Sequence, residues 1–389
     1  MYIIKGNYFL LYFLSCMFVF ACKSTKVKTL HSMASSVSDS NILIAPQAKW
    51  LHNNKMGPFV YLKDGSILTV DTLNASISKD GGNTWENYQV FADTSKFFMA
   101  NEKAIAVTQS GTIIISVINM KEKVMNWDKK ISDAPGAKLP TYTIRSTDGG
   151  KTWKDLRKHH DDWTGANRDM IVTKKGTVIL SSMRLAHNPA HHTVLTYSSK
   201  DEGITWMQSN IIDKGGIGDH SGVTEATIQQ LNNGNIWMLM RTNWGKFWQA
   251  TSTDEGLTWT DIKATNIEAS SAPGMLKRLK SGRLILVWNR PFPEGETSFK
   301  LTGGDNQWSD VASSNYREEL SAAISEDDGI TWSKPVVIAK STREIGMNLF
   351  RDWIAYPYVF EVKPGVLWIT TMQSKLRIEL NEKDIIVNK

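Results

Sequence analysis

One octet constrains this chain more than any other feature. Ser-x-Asp-x-Gly-x-Thr-Trp occurs five times, at residues 78–85, 146–153, 199–206, 252–259 and 325–332. Each copy has the same physical reading. Ser and Asp side chains fold the backbone back through local hydrogen bonds, and Gly permits positive φ. Thr and Trp then open a strand, with the indole packed beneath the turn. One octet marks a hairpin. Five at similar intervals mark a repeat, and a repeat decides architecture before anything else does.

A second repeat runs beside the first. Apolar, strand-like runs flank a glycine turn six times, at Gly65, Gly111, Gly176, Gly234, Gly282 and Gly365, and the first five of these turns each precede one octet. The unit is therefore strand a, glycine turn, strand b, variable loop, strand c, octet turn, strand d. Repeated six times, it predicts an all-β fold, a six-bladed β-propeller. The sixth blade has no octet. The segment NILIAPQAKW at 41–50 has no partner before blade one, so it is expected to close the ring in that blade.

Propeller geometry sorts the residues. The a–b and c–d turns lie on one rim, and the d–a and b–c connections lie on the other. The first rim carries short, uniform turns. The glycine-to-octet spacings are 15, 37, 25, 20 and 45 residues, and that variation falls in the b–c loops. Variable loops on a rigid frame are where sites are built. The octets are thus staples, and chemistry is expected on the opposite face.

Candidates are the residues that open strand a, end strand b or open strand c. They are Met56 and Asp71 in blade one, Glu102 and Asn119 in blade two, and Arg168, Asp169 and Arg184 in blade three. Blade four offers His220, Glu225 and Arg241. Blade five offers Asn289, Arg290 and Arg317, and blade six Arg351, Asp352 and Tyr356. Several arginines aimed at one axial pocket repel each other unless an anion sits among them. A carboxylate, sulfate or uronate held by bidentate forks fits that pattern.

The start of the chain differs from the rest. MYIIKGNYFLLYFLSCMFVFAC pairs a lysine with an apolar stretch that ends at Ala21-Cys22. This is the pattern of an export signal. A cysteine directly after it resembles the lipobox of bacterial lipoproteins, where the thiol is lipidated and becomes the first residue. The expectation is a signal at 1–21, a flexible tether at 22–41 and one propeller at 42–389, anchored to a membrane through Cys22 in the cell envelope. Cys16 leaves with the signal, so the mature chain has no disulfide.

Charge and histidines narrow the choice further. The formal net charge is +6, but Lys5 falls in the signal and Lys23, Lys26 and Lys28 in the tether. Basic residues form no stripe of the kind nucleic acid needs. His187, His191 and His192 sit in a b–c loop without a carboxylate cluster, which favours polar roles over metal ligation. No metal or other cofactor is expected. His159 to Trp163, after an octet, fit a substrate contact or a plain loop equally.

At this point the residues carry a resemblance. The octets resemble the Asp boxes of the sialidase superfamily, whose fold is the six-bladed propeller, across nearly the whole mature chain. TEATIQQLNNGNIWMLMRT is similar to the segment in which a glutamate opens one strand and an arginine ends the next, here Glu225 and Arg241. REELSAAISEDDGITW resembles the segment with a second carboxylate-binding arginine, here Arg317. AYPYVFEVKPG resembles the segment with a tyrosine nucleophile, here Tyr356, with Tyr358 the near alternative. The resemblance implies that Glu225 tunes Tyr356, an exception to the two-carboxylate scheme, and that the tyrosine pKa must fall. Arg241, Arg317, Arg168, Arg184 and His220 are then the expected substrate-binding residues.

The chain also departs from that family. The first family arginine, in an Arg-Ile-Pro motif, is matched by Met56-Gly57-Pro58. The hairpin after it is too short for the usual acid-base aspartate, and Asp71 is the only nearby carboxylate. The expected function is an exo-acting glycoside hydrolase that removes terminal sialic acid or a similar acidic sugar, with Tyr356, Glu225 and Asp71 catalytic. The rivals are an exo-glycosidase for another sugar of an acidic polysaccharide and a non-catalytic glycan-binding propeller.

Overall fold

Strand alternation and turn chemistry give six antiparallel sheets around an axis. The computed structural model describes residues 32–33, 41–342 and 353–386. Blade one comprises Phe59–Tyr61, Ile67–Val70, Asn74–Ser78 and Thr84–Gln89, as strands a to d. Blade two comprises Ile105–Val107, Ile113–Ile118, Lys138–Ser146 and Lys154–Asp162, and blade three Met170–Val172, Val178–Ala186, His191–Ser199 and Met207–Gln208. Blade four runs through Val223–Gln230, Ile236–Thr242, Lys246–Ser252 and Thr260–Glu268. Blade five uses Met275–Arg278, Leu284–Trp288, Glu319–Ser325 and Val336–Ser341. Blade six uses Ala355–Lys363, Val366–Gln373 and Arg377–Asn381.

The missing strand d of blade six comes from the other end of the chain. Lys49–Trp50 pairs with Arg377–Asn381, with Trp50 opposite Ile378 and Lys49 opposite Glu379. This is the closure the unpartnered segment predicts. The same segment does a second job: Ile42–Ile44 adds a fifth strand to blade five against Val336–Ser341. The b–c loop of blade five also grows its own hairpin, Leu301–Gly303 with Ala312–Ser314.

The core is not central. It is a ring of inter-blade layers. Leu68, Ile77, Ile113 and Ile115 join blades one and two, and Ile114, Val178, Leu180 and Leu195 join blades two and three. Further layers join three to four, four to five, five to six, and six to one through Phe59, Trp85, Phe360 and Trp368. Each blade thus buries both faces against neighbours, which is why so many strands are apolar throughout.

The octets behave as staples. In the first, Asp80 Oδ1 accepts from the Asn83 and Thr84 amides at 3.1 and 2.9 Å, and Oδ2 accepts from the Thr84 hydroxyl at 2.7 Å. Ser78 Oγ accepts from Gly82 N, and the Trp85 indole donates to Gly82 O at 3.1 Å. The residue before the octet glycine is also left-handed: Gly81 and Gly149 at φ 72° and 77°, but Glu202, Glu255 and Asp328 at 58°, 61° and 60°. Those three carboxylates each reach the a–b turn of the preceding blade. Glu202 accepts from Thr108 and Thr112, Glu255 from Thr173, and Asp328 from Asn232. The strained position is used as an inter-blade strap.

Candidate active site

Glu225 sits near the start of strand a of blade four, at a register shift between Thr224 and Thr227. Arg241 ends strand b of the same blade, beside it. Tyr356 opens strand a of blade six. The fold brings all three together. The Tyr356 hydroxyl donates to Glu225 Oε1 at 2.7 Å, Arg241 Nη1 donates to Glu225 Oε2, and the same Nη1 lies 3.2 Å from Tyr356 Oη. Glu225 and Tyr356 are both buried, each at 8 % exposure.

Both residues are also strained. Glu225 has φ 46° and Tyr356 has φ 60°. Non-glycine residues in this region cost on the order of 1–3 kcal/mol and persist where the surroundings over-determine them. A glutamate and a tyrosine from different blades, hydrogen-bonded and both left-handed, mark a built site.

Arg317 completes the group from the loop that enters strand c of blade five. Its Nη2 donates to Ser271 O at 2.5 Å and its Nη1 to Gln373 Oε1 at 3.2 Å. Its guanidinium lies 4.3 Å from the Trp353 ring centroid and 5.7 Å from that of Tyr356. Ser271 joins the two arginines, because its hydroxyl accepts from Arg241 Nη2 at 3.1 Å. Asn289 holds the frame behind them, donating to Glu319 O and Ile354 O at 2.7 and 3.0 Å.

The electrostatics divide the labour. Burial pushes the Glu225 carboxyl up, but the charge and hydrogen bond of Arg241, the Tyr356 hydrogen bond and the Arg168 charge together hold the group below its usual range. Burial, then the Glu225 charge, push the Tyr356 phenol up to about 12, against the pull of Arg241 and Arg317. The resting tyrosine is therefore a neutral donor and Glu225 its ready acceptor. This corrects the expectation that the tyrosine pKa falls: burial and the carboxylate outweigh the arginines. Burial and Arg241 lower Arg317 to about 10.

Other candidates stand elsewhere. Arg168 is 1 % exposed and lies beneath the tyrosines, 5.2 Å from the Tyr356 ring and 4.7 Å from that of Tyr358, with Nη2 on Pro357 O. It is positioned to orient rings rather than to meet a ligand. Arg184 turns away from the axis: it bonds His160 Nδ1 at 2.7 Å, Tyr197 Oη at 3.0 Å and Gln208 Oε1 at 2.8 Å, bridging blades two and three. His220 pairs with Asp219 at 2.8 Å and stacks on Trp308 from the blade-five hairpin. It forms a wall of the site face, beside His192, whose ring feels the charges of both His220 and Glu225.

Asp71 is tied into the b–c turn of blade one, accepting from Leu73 N at 2.9 Å and Asn74 N at 2.7 Å. Met56, in the place of the first family arginine, packs against the apolar layer between blades five and six. His187 pairs with Asp133 and His191 with Asp213, each separately. Among the described residues, no group of three or more His, Cys, Asp or Glu is placed to hold a metal ion. Asp169 ties blade three to blade four through Thr227 and Ile228, and Asn119 caps a short turn. Arg290 binds Ser321 Oγ. Arg351, Asp352 and Cys22 lie outside the described residues.

The sequence reading missed Lys103. It is 1 % exposed, its ammonium has one acceptor among the described residues, Asn101 O at 3.4 Å, and burial lowers it to about 8. Asp71 and Glu102 supply the opposing charge. Ser271, Trp353 and Gln373 were missed as well. All four lie in or beside connections of irregular length, where a lone sequence carries no positional signal.

Comparison with known proteins agrees with this frame. The family described as BNR repeat-like domain matches residues 70–369. The chain belongs to that family. Among solved structures, a Dyadobacter fermentans protein of unknown function is 16 % identical, with TM-score 0.56 over 88 % of this chain and 98 % of that one. The NanB sialidase of Streptococcus pneumoniae is 14 % identical, with TM-score 0.53 over 91 % and 71 %. The GH93 α-L-arabinofuranosidase of Fusarium graminearum is 13 % identical, with TM-score 0.54 over 93 % and 100 %. No curated protein sequence matches the chain.

Proposed function

We propose that this BNR repeat-like protein is an exo-acting glycoside hydrolase for a terminal acidic sugar, with sialic acid the leading candidate. The observation that carries the reading is the hydrogen-bonded triangle of Tyr356, Glu225 and Arg241, with Arg317 stacked at its edge. A phenol suits an anomeric carbon that bears a carboxylate, because a neutral nucleophile is not repelled. Glu225 takes the phenolic proton as Tyr356 Oη attacks, and Arg241 stabilises the charge that passes between them. Arg317 has hydrogen-bond partners that are neutral, so an anion is the complement this site favours.

Met56 and the arabinofuranosidase neighbour favour a second reading, an exo-glycosidase for a different sugar of an acidic polysaccharide. A screen of aryl sialosides, uronides, deoxyhexosides and arabinofuranosides separates them. Turnover of sialosides alone supports the first reading, turnover of another glycoside the second, and glycan binding without turnover a binding propeller.

The same reading assigns roles that kinetics can test. Tyr356→Phe is expected to abolish turnover and leave binding measurable by calorimetry. Glu225→Gln is expected to lower kcat more than it raises KM. A Tyr356→Phe enzyme with near-normal kcat refutes the nucleophile. Anchoring through Cys22 belongs to the same proposal: Cys22→Ala should move the protein from the membrane to the soluble fraction, and unchanged fractionation rejects the anchor.

A further inference from the structure

A tyrosine nucleophile needs a partner that protonates the leaving group, and Asp71, the carboxylate that blade one brings to the site face, is partly held by its own turn. Asp71 Oδ1 accepts from Leu73 N, Asn74 N and Asn74 Nδ2 at 2.9, 2.7 and 3.5 Å, which commits that oxygen to its own turn. Its charge faces the ammonium groups of Lys55 and Lys103.

The next blade brings a different carboxyl to the site face. Glu102 is partly exposed and enters blade two from the d–a connection, on the site face. Its backbone is pinned to the tyrosine strand of blade six. Lys103 N donates to Tyr358 Oη at 3.4 Å, and that hydroxyl lies 3.5 Å from Asn101 O and 3.3 Å from Lys103 O. Tyr358 is two residues beyond Tyr356 on one strand, so the two rings share a face. Arg168 touches both rings. The Glu102 backbone is thus held beside Tyr358, and its carboxyl lies within electrostatic reach of Glu225, Arg168 and Tyr356.

We propose that Glu102, rather than Asp71, is the proton donor and acceptor of this site. The inference rests on the glycosidase reading. In the first step Tyr356 Oη bonds to the anomeric carbon and Glu225 takes its proton. The glycosidic C–O bond breaks as Glu102 gives its proton to the departing oxygen, which leaves as an alcohol. In the second step Glu102, now a carboxylate, takes a proton from water as the water oxygen attacks the anomeric carbon. The C–Oη bond breaks and Glu225 returns the proton to Tyr356. Both residues end as they began.

The environment supports this division. Burial, then the Glu225 charge, push the Glu102 carboxyl up, while Arg168 and Lys103 pull the other way. Glu225 is held low by Arg241. Two carboxyl groups whose surroundings drive them apart are the pattern of an acid paired with a base. The groups that face Glu102 are Glu225, Arg168, Lys103, Tyr356 and Tyr358.

Glu102→Gln and Asp71→Asn separate the two carboxylates. Each is assayed on a nitrophenyl and an alkyl glycoside of the sugar the unaltered enzyme hydrolyses. Glu102→Gln should lower kcat/KM for the alkyl glycoside by about 100-fold or more and for the nitrophenyl glycoside far less, because a good leaving group needs no proton. The basic limb of its pH profile should vanish, and azide should restore the second step. Asp71→Asn should show no dependence on the leaving group. Equal losses on both substrates, or a rise in KM alone, would make Glu102 a hydroxyl contact and overturn the proposal. So would leaving-group dependence in Asp71→Asn. Absence of turnover by the unaltered protein sinks the glycosidase reading itself, which is a separate outcome.

Discussion

Arg317 shows how much one side chain is asked to do. Its fork bonds Ser271 O and Gln373 Oε1 while its plane rests on Trp353. A lysine lacks both the planar fork and the stacking surface. Arg317→Lys is therefore expected to weaken binding of an acidic substrate by about ten- to a hundredfold, from charge-assisted bonds worth roughly 1.5–3 kcal/mol. Titration calorimetry with a non-hydrolysed analogue measures it, and affinity equal to that of the unaltered protein contradicts the role. Glu225, Arg241, Arg317 and Tyr356 were legible in the sequence because repeat position and family resemblance locate them independently. Their strain was not, since φ at a bulge depends on what the bulge packs against. Lys103 was illegible for a simpler reason. A lysine between an acidic residue and an apolar strand reads as surface until the neighbouring blades cover it.

The octet is the element at which local and tertiary physics meet. Glu202 pairs a left-handed backbone, φ 58°, with bonds to Thr108 and Thr112 at 3.0 and 2.8 Å. Replacing it separates the two terms. Glu202→Ala loses the strap and keeps the strain, and should cost about 2 kcal/mol. Glu202→Gly loses the strap but relieves the backbone, by roughly 1 kcal/mol, and should be the milder change. Urea unfolding ranks the two, and an alanine variant as stable as the glycine one refutes the account. Strands and turns were readable because a period-two pattern and a glycine turn are local signals. The straps were not, because nothing in the octet itself says which blade lies behind it.

At the level of the molecule, closure depends on ten residues. Ile42–Ile44 extends blade five and Lys49–Trp50 completes blade six. Ile42, Ala48 and Leu51 are buried there, each large side chain contributing about 1.5–3 kcal/mol. A chain beginning at residue 41 should melt like the full protein. A chain beginning at residue 52 should melt at least about 10 °C lower or fail to fold. Calorimetry decides, and equal transitions would mean that the ring does not need this seam. The six-blade count and the seam were legible because one segment had no partner of its own. The buried polar cluster around Glu225 was not, because its side chains come from several blades.

The seam also sets an order in time. The blade that bears Tyr356 is assembled from Lys49–Trp50 and the last described strands of the chain. As the polypeptide emerges from its N-terminus, Lys49–Trp50 has to wait, unpaired, while five blades form, and Tyr356 appears only near the end. A chain cut short before blade six has neither Tyr356 nor a closed ring. The protein thus carries its own proofreading: an incomplete copy lacks the partner of Glu225 and has an open ring, and so is distinguished at once from a finished one by anything that degrades open sheets.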